Sequence, residues 1–539
     1  MQSNKTGRKV IVGPLLACVL MGTADFLHAR MAAEVEKGTA VIRGTVRSSE
    51  GEPLYGILVK ARGEGRNYAT SVFTDGEGNY ELPPLPLGKY QVSVGTDWKE
   101  TFQLSASGAN QDFSVKLGTG FMNQTTGTSW ARVIPITEEE KVPLNSTCAR
   151  CHTIRRLIEG APRSPDGWVA IVERMNSIDS IGRPKQPGDT GDYVGLRVGK
   201  EEVERITQIL AKSIKPELKE KYIMEAIVRP TGEAARAVFT EWDLPHKLDY
   251  VTTATSDSHG MIWYVASVSN AIGRLDPSTG EFQQWTYPVP NAGFHDVMVD
   301  KEGNVWATAQ IAGRIVKFDT KTYKYTDWVI PSNFSARTTH TGDFDPKGDY
   351  WVTLMGESIA RLDPRTGRIT EYPSPTTPAR SYGLVVDMKG TVWYTDNAGS
   401  KIGKIDATGK TTLYPTPTPN ADPRRIRVDS KGKVWFTEAR ASKLGMLDPA
   451  TWKITEYDLG VPGGFAYALR VDKSDRIWFS LVNGGAWGRF DPETKKVVFY
   501  PFADPESYPR DGSFIYTTTP LSIVYGFAQK PVLGRMYIR

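Results

Sequence analysis

Short apolar runs alternate with polar turns at a fixed interval through the second half of the chain. Tryptophans fall at Trp263, Trp306, Trp351, Trp393, Trp435 and Trp478, spaced 42–45 residues apart. Each stands six residues after an aspartate: Asp257, Asp300, Asp345, Asp387, Asp429 and Asp472. A strand and a turn follow each tryptophan, as in Arg274-Leu275-Asp276-Pro277 and Arg361-Leu362-Asp363-Pro364, and then a closing strand such as Ile369-Thr370-Glu371-Tyr372-Pro373. A period of this length holding four short strands predicts a β-propeller blade. Six copies are complete. A seventh, over Ser513 to Tyr525 and Val532 to Ile538, lacks its closing strand. The matching strand, Ala237 to Pro245, stands before the first blade. The pattern therefore predicts seven blades over residues 236–539, with the N-terminal strand closing the ring and removing a sheet edge.

Upstream the period changes. Residues 39–117 read as β: turns at Ser49-Glu50-Gly51-Glu52-Pro53 and Asp75-Gly76-Glu77-Gly78-Asn79, and strands at Ile57-Leu58-Val59, Tyr80-Glu81-Leu82 and Tyr90 to Val94. This spacing predicts a small β-sandwich. Residues 118–129, rich in Gly, Thr and Asn, read as a linker. Residues 131–220 then carry helical spacing, in Gly167 to Met175 and in Glu201 to Ile214, with Val203, Ile206, Ile209 and Leu210 on one side. The expected fold class is multidomain and mainly β: a β-sandwich, a small all-α cytochrome c domain and a seven-bladed β-propeller.

Composition supports several packed domains, with 40% hydrophobic and 24% charged residues among 539. A net charge of +5 and the lack of a basic run argue against a nucleic-acid partner. Residues 1–33 read as a signal peptide, because Lys5, Arg8 and Lys9 precede the apolar run Val10 to Met21 and small residues follow. The run is short for a span, so no transmembrane segment is expected in the mature chain, and a periplasmic or secreted location is. Cys18 leaves a lipoprotein as the alternative.

Candidate chemistry centres on Cys148-Ala149-Arg150-Cys151-His152. This C-x-x-C-H pattern is that of covalent c-type haem attachment. Two thiols one helical turn apart can form thioethers to a porphyrin edge, and the adjacent imidazole can ligate the iron. A thioredoxin-like pair, half of a zinc site and a plain disulfide are the alternatives. One covalent haem c is expected, with Cys148, Cys151 and His152 attaching it and His152 as iron ligand. Met175 is the first candidate for the sixth ligand and Met224 the second. The alternative for Met175 is a core position on an amphipathic helix.

Three resemblances add to this. The wording G-x-V…G-x-P-L…D-G-x-G-x-Y…L-x-L-G-x-Y-x-V over residues 39–117 resembles the carboxypeptidase regulatory-like, prealbumin-type domain, usually an accessory module. C-x-x-C-H followed by Trp168 to Met175 resembles compact cytochrome domains attached to periplasmic dehydrogenases. The blade wording G-x-V-W-[FY]-T with I-G-[KR]-[IL]-D-P resembles the virginiamycin B lyase (streptogramin lyase) propeller family. That resemblance implies elimination on a cyclic depsipeptide by histidines on two successive inner strands, with a divalent metal held by glutamates. His295 and His340 occupy such places, each eight residues before a turn glycine (Gly303, Gly348). The glutamates do not match, because Thr338 and Leu354 stand at their positions. A divalent metal in the propeller is therefore doubtful on the sequence.

The position of His295 and His340 recurs as Tyr382, Arg424 and Tyr467, which predicts a polar, partly cationic ring at the propeller axis. A small-molecule or peptide substrate, or a redox partner protein, would bind there. His295 or His340 is the candidate general base and Arg424 the candidate anion anchor. Three functions stand: haem-linked electron transfer or oxidation, a metal-dependent lyase, and a non-catalytic binding protein or scaffold.

Overall fold

The computed structural model describes residues 38–146, 154–160, 163–177, 199–215, 217–334, 337–356, 358–377, 379–505, 509–528 and 530–539. Residues 1–33, expected to be a signal peptide, and Cys148, Cys151 and His152 lie outside the described residues. Six four-stranded antiparallel sheets follow one another, from Val251–Ser256 at the start of the first to Val497–Pro501 at the end of the sixth. The seventh blade combines Pro509–Ile515, Ser522–Phe527 and Val532–Ile538 with Ala237–Asp243, which pairs antiparallel with Val532–Ile538 along its whole length. The predicted ring closure is thus present.

The repeat wording has a physical cause in each blade. The indole N–H of each repeat tryptophan donates to the aspartate six residues earlier, at 2.8 Å for Trp306–Asp300 and Trp435–Asp429, and at 2.9 Å for Trp263–Asp257 and Trp478–Asp472. Trp351 and Trp393 do the same at 3.1 and 3.2 Å. The other carboxylate oxygen accepts backbone N–H groups of the turn, as Asp429 does from Lys431 and Lys433. One aspartate therefore fixes both the hairpin and the ring beside it.

The glycine of I-G-[KR] is tied to the aromatic of W-[FY]-T. Gly273, Gly403, Gly445 and Gly488 pair across the sheet with Tyr264, Tyr394, Phe436 and Phe479. A Cβ at any of these glycines would fall inside the ring opposite. Blades two and three lack the aromatic there and lack the glycine too, pairing Ala307 with Val316 and Val352 with Ala360. Volume is conserved across the pair, as a close-packed sheet interface requires.

The N-terminal unit packs two sheets around Ile42, Val46, Val59, Val72, Tyr90, Val92 and Phe113, all buried. One of its sheets is not separate from the propeller. Tyr68–Phe73 pairs antiparallel with Ala237–Asp243, so the closing strand of blade seven lies between the propeller and the sandwich in one eight-stranded sheet. Lys60–Glu241 (3.2 Å) and Arg62–Asp243 (2.8 Å) ion pairs flank the seam. Both edges that would otherwise be exposed are satisfied.

The stretch expected to be a linker is folded. It forms a 3-10 turn over Thr119–Gln124 and a helix over Gly127–Val133, whose first turn is held by a reciprocal Thr126–Ser129 capping box. Buried Gln124 accepts from the Leu58 N–H at 3.0 Å and donates to the Val228 carbonyl at 3.1 Å. Small polar residues here serve caps and turns rather than mobility. Gly56 stands at φ +66, with the Arg229 backbone 3.1 Å from where its Cβ would be, so the sandwich and this segment meet closely only without a side chain.

Helices Pro165–Ser177, Lys200–Ser213 and Leu218–Ala226 share a core of Trp130, Trp168, Val172, Ile206, Leu210 and Ile223. Among the described residues no helix is long and apolar enough to cross a membrane.

Candidate functional site

In every blade the inner strand begins beside the end of its second strand, so one end of the ring gathers the second residue of all seven inner strands. They are Thr252, His295, His340, Tyr382, Arg424, Tyr467 and Arg510. A register shift follows each, a bulge that turns these side chains out of the ladder. The threonine of W-[FY]-T holds that bulge. Thr437 Oγ1 accepts from the Arg425 N–H at 3.1 Å and donates to the Tyr467 carbonyl of the next blade at 2.9 Å. Thr308, Thr353 and Thr395 make the same two bonds, donating to the carbonyls of His340, Tyr382 and Arg424. Each ring residue is thus stitched to its neighbouring blade.

The predicted ring residues do come together, but they pack on one another. The His295 and His340 rings lie 3.8 Å apart, and His340 lies 4.0 Å from Tyr382, between centroids. Tyr382 and Tyr467 share a hydroxyl–hydroxyl hydrogen bond of 2.8 Å. His340, Tyr382 and Tyr467 are each 1% exposed, whereas His295 and Arg424 keep 8% and 7%. Arg424 lies over the Tyr382 ring at 4.6 Å and donates to Asp422 at 2.9 Å, so its charge is already matched within the protein. This changes the expected anion anchor into a paired cation packed on an aromatic ring. Burial first, then His295 and Arg425, holds the His340 imidazole well below the ordinary histidine range, so it is neutral at pH 7. Its Nδ1 faces Thr341 Oγ1 (2.9 Å) and the Tyr382 carbonyl (3.1 Å).

Beneath the ring lies a layer of buried charge that the sequence reading missed. Arg425 Nε stands 2.8 Å from Asp511, which also takes Arg470 at 3.0 Å. Arg425 also donates to Thr341 across the axis. Burial opposes charge at Asp511, but Arg425, Arg470 and Arg427 outweigh it and lower its pKa. Burial raises Asp296 and Asp343. These residues sit at the third and fifth inner-strand positions, a register visible in the sequence once the ring position is known. Arg510 was missed for another reason: its blade is the one with the incomplete repeat.

Among the described residues no three His, Cys, Asp or Glu side chains are grouped as a metal site. Leu354 and its equivalents Ala266, Ala309 and Leu481 are apolar, while Asp396 and Glu438 keep an acid at this place in blades four and five. Glu438 is buried, and desolvation, with Glu456 beside it, pushes its carboxyl up to about 8.

The helical unit docks at this same end of the ring. The Thr128 N–H donates to the carbonyl of Asn483, in the loop after Ile477–Leu481 (3.3 Å). Arg155 and Glu159 bear on Lys530, in the corresponding loop of blade seven. Met175 is half-buried against the helical core, and Met224 is exposed on Leu218–Ala226. The C-x-x-C-H stretch ends in sequence two residues before Ile154, which is buried in that core.

Residues 339–511 match the virginiamycin B lyase family. Residues 41–117 match the carboxypeptidase regulatory-like domain. A streptogramin B lyase structure aligns with 57% of this chain and all of its own, at 25% identity and a TM-score of 0.53. The virginiamycin B lyase of Staphylococcus aureus aligns over 56% of this chain and its whole length, at 21% identity and a TM-score of 0.52, as does its catalytically inactive variant with quinupristin. No curated protein sequence matches the chain. The two family matches cover the sandwich and part of the propeller, and the helical unit lies outside both.

Proposed function

We propose that the chain is an exported c-type haem protein of periplasmic electron transfer or oxidation, whose propeller binds the substrate or redox partner. The observation that carries this reading is the place of C-x-x-C-H: it leads into a helical unit with its own core, docked on the end of the ring that gathers His295 and His340. The donor set fits haem c, with Cys148 and Cys151 for the thioethers and His152 for the iron. Met175 and the buried Trp168 N–H, which has no hydrogen-bond partner among the described residues, belong to the same core and suit a sixth ligand and a propionate contact. The group would supply one-electron exchange. The chain's own residues would hold it beside the ring and keep water out of the packed axis.

The test is the absorption spectrum of protein exported from a host able to attach haem c. Sharp reduced bands that persist after denaturation, and vanish in His152→Ala, are expected. A colourless exported protein refutes the reading. The competing reading is an elimination of the streptogramin lyase type, favoured by the match over residues 339–511 and by the adjacent histidines. Linearisation of quinupristin by the purified protein, lost in His340→Ala, would establish it.

A further inference from the structure

A second site lies away from the axis, where all three units meet. A cleft of about 650 Å³ opens between the sandwich, the helical unit and blade six. Its floor is apolar: Leu481 and Phe499 come from blade six and Met224 from the helical unit. Its charged lining is mostly cationic. Arg132, at the end of Gly127–Val133, donates to the Glu225 carbonyl at 2.7 Å and so is held in place. Arg229 lies over the Tyr55 ring at 5.2 Å, and Lys141 pairs with Glu138 at 2.7 Å. Three cations against one carboxylate leave the lining two charges positive.

We propose that this cleft binds a small amphipathic anion, with an aromatic or aliphatic body on the Leu481–Phe499–Met224 floor and an acidic head between Arg132 and Arg229. Size and composition support this: ligand sites of a few hundred Å³ are mostly apolar with a few placed polar groups. A planar guanidinium suits a carboxylate or sulfonate better than an ammonium does. Both arginines are already oriented, Arg132 by a carbonyl and Arg229 by a ring, which lowers the ordering cost of binding. Because the walls belong to different units, a bound ligand also clamps the helical unit to the propeller face. The inference is independent of haem.

The experiment uses the full-length exported protein and anilinonaphthalene sulfonate, an apolar ring system with one sulfonate. Saturable binding at one site per chain is expected, displaced by decanoate. Arg132→Glu with Arg229→Glu should weaken it at least tenfold, and Pro462→Trp, which fills the cleft from an exposed position, should abolish it. Each variant is accepted only with a wild-type melting temperature. Binding that does not saturate, or that keeps its affinity in both variants, overturns the site. Binding that weakens in the filled variant but not on charge reversal overturns the acidic-head assignment.

Discussion

Removing the Asp511 carboxylate should unfold the propeller more easily than any other single truncation at the axis. Asp511 is 1% exposed and takes two guanidinium groups, Arg425 at 2.8 Å and Arg470 at 3.0 Å. Each pair is worth roughly 6 kcal/mol before desolvation at an effective dielectric near 20 and such a distance. Desolvation of the carboxylate offsets several kcal/mol of that sum. The variant inherits a second cost. Arg425 remains fully buried, and the balance of Asp296, Asp343 and Asp511 against Arg425, Arg427 and Arg470 becomes one cation in excess. Asp511→Ala should therefore lose about 3–5 kcal/mol, the range for breaking a buried pair from one side. The loss is read from the guanidinium midpoint of the propeller transition, followed by tryptophan fluorescence. Asp511→Leu with Arg425→Met should recover part of it. The pH dependence fixes the cause. The folded-state pKa of Asp511 lies below its unfolded value, so its contribution is full above about pH 4 and fades as pH falls through the folded value. The gap between wild type and Asp511→Ala should close in acid. A loss under about 1 kcal/mol, or a gap constant to pH 3, would refute the reasoning.

Other outcomes follow from the same geometry. Thr437→Val strands the Arg425 N–H and the Tyr467 carbonyl and should cost about 1–3 kcal/mol by thermal or chemical melting, with Thr437→Ser near wild type. Ending the chain before Val532 removes the strand between Ser522–Phe527 and Ala237–Asp243, and should replace the cooperative melt with a broad one; a sharp wild-type melt would contradict ring closure. Glu438→Gln should stabilise the fold, by a margin that grows from about pH 4.5 to 8 and is level above. The reason is that the folded carboxyl stays protonated to about 8, so the wild type loses stability through that window while the amide does not titrate. Equal denaturation midpoints for the two proteins at pH 8 would rule this out.

Much of the propeller was legible because each blade repeats its chemistry. The aspartate six residues before each tryptophan is a hydrogen bond, and the glycine facing each ring is a volume constraint, so both recur at fixed spacing. His295, His340, Tyr382, Arg424 and Tyr467 were found by register alone, which also places Thr252 and Arg510 once the last blade is counted. What register could not give was their state. That His340 is sealed between two rings depends on contacts between successive blades, and that Arg424 is matched by Asp422 depends on a side-chain direction that register does not give. The helices over Pro165–Ser177 and Lys200–Ser213 followed from apolar spacing. The segment before them did not, because its Thr126 and Ser129 act as caps, and Gly, Thr and Asn mark caps and loops alike.

The junction between sandwich and propeller was the least legible feature, and its physics explains why. Tyr68–Phe73 is buried along nearly its whole length although its sequence alternates only weakly. Its partners are Leu58–Gly63 on one side and the closing strand Ala237–Asp243 on the other. Backbone hydrogen bonds join a strand to a new edge without asking for a particular side chain, so no motif records the pairing. The side chains that do record it, Lys60 with Glu241 and Arg62 with Asp243, read as ordinary surface charges until the partner is known. This pairing has a consequence for function. The strand that closes the propeller is held on both sides, by Val532–Ile538 and by the sandwich, and Gln124 ties the sandwich at Leu58 to Val228, just after the last helix of the helical unit. The sandwich thus takes part in setting where the helical unit stands on the ring.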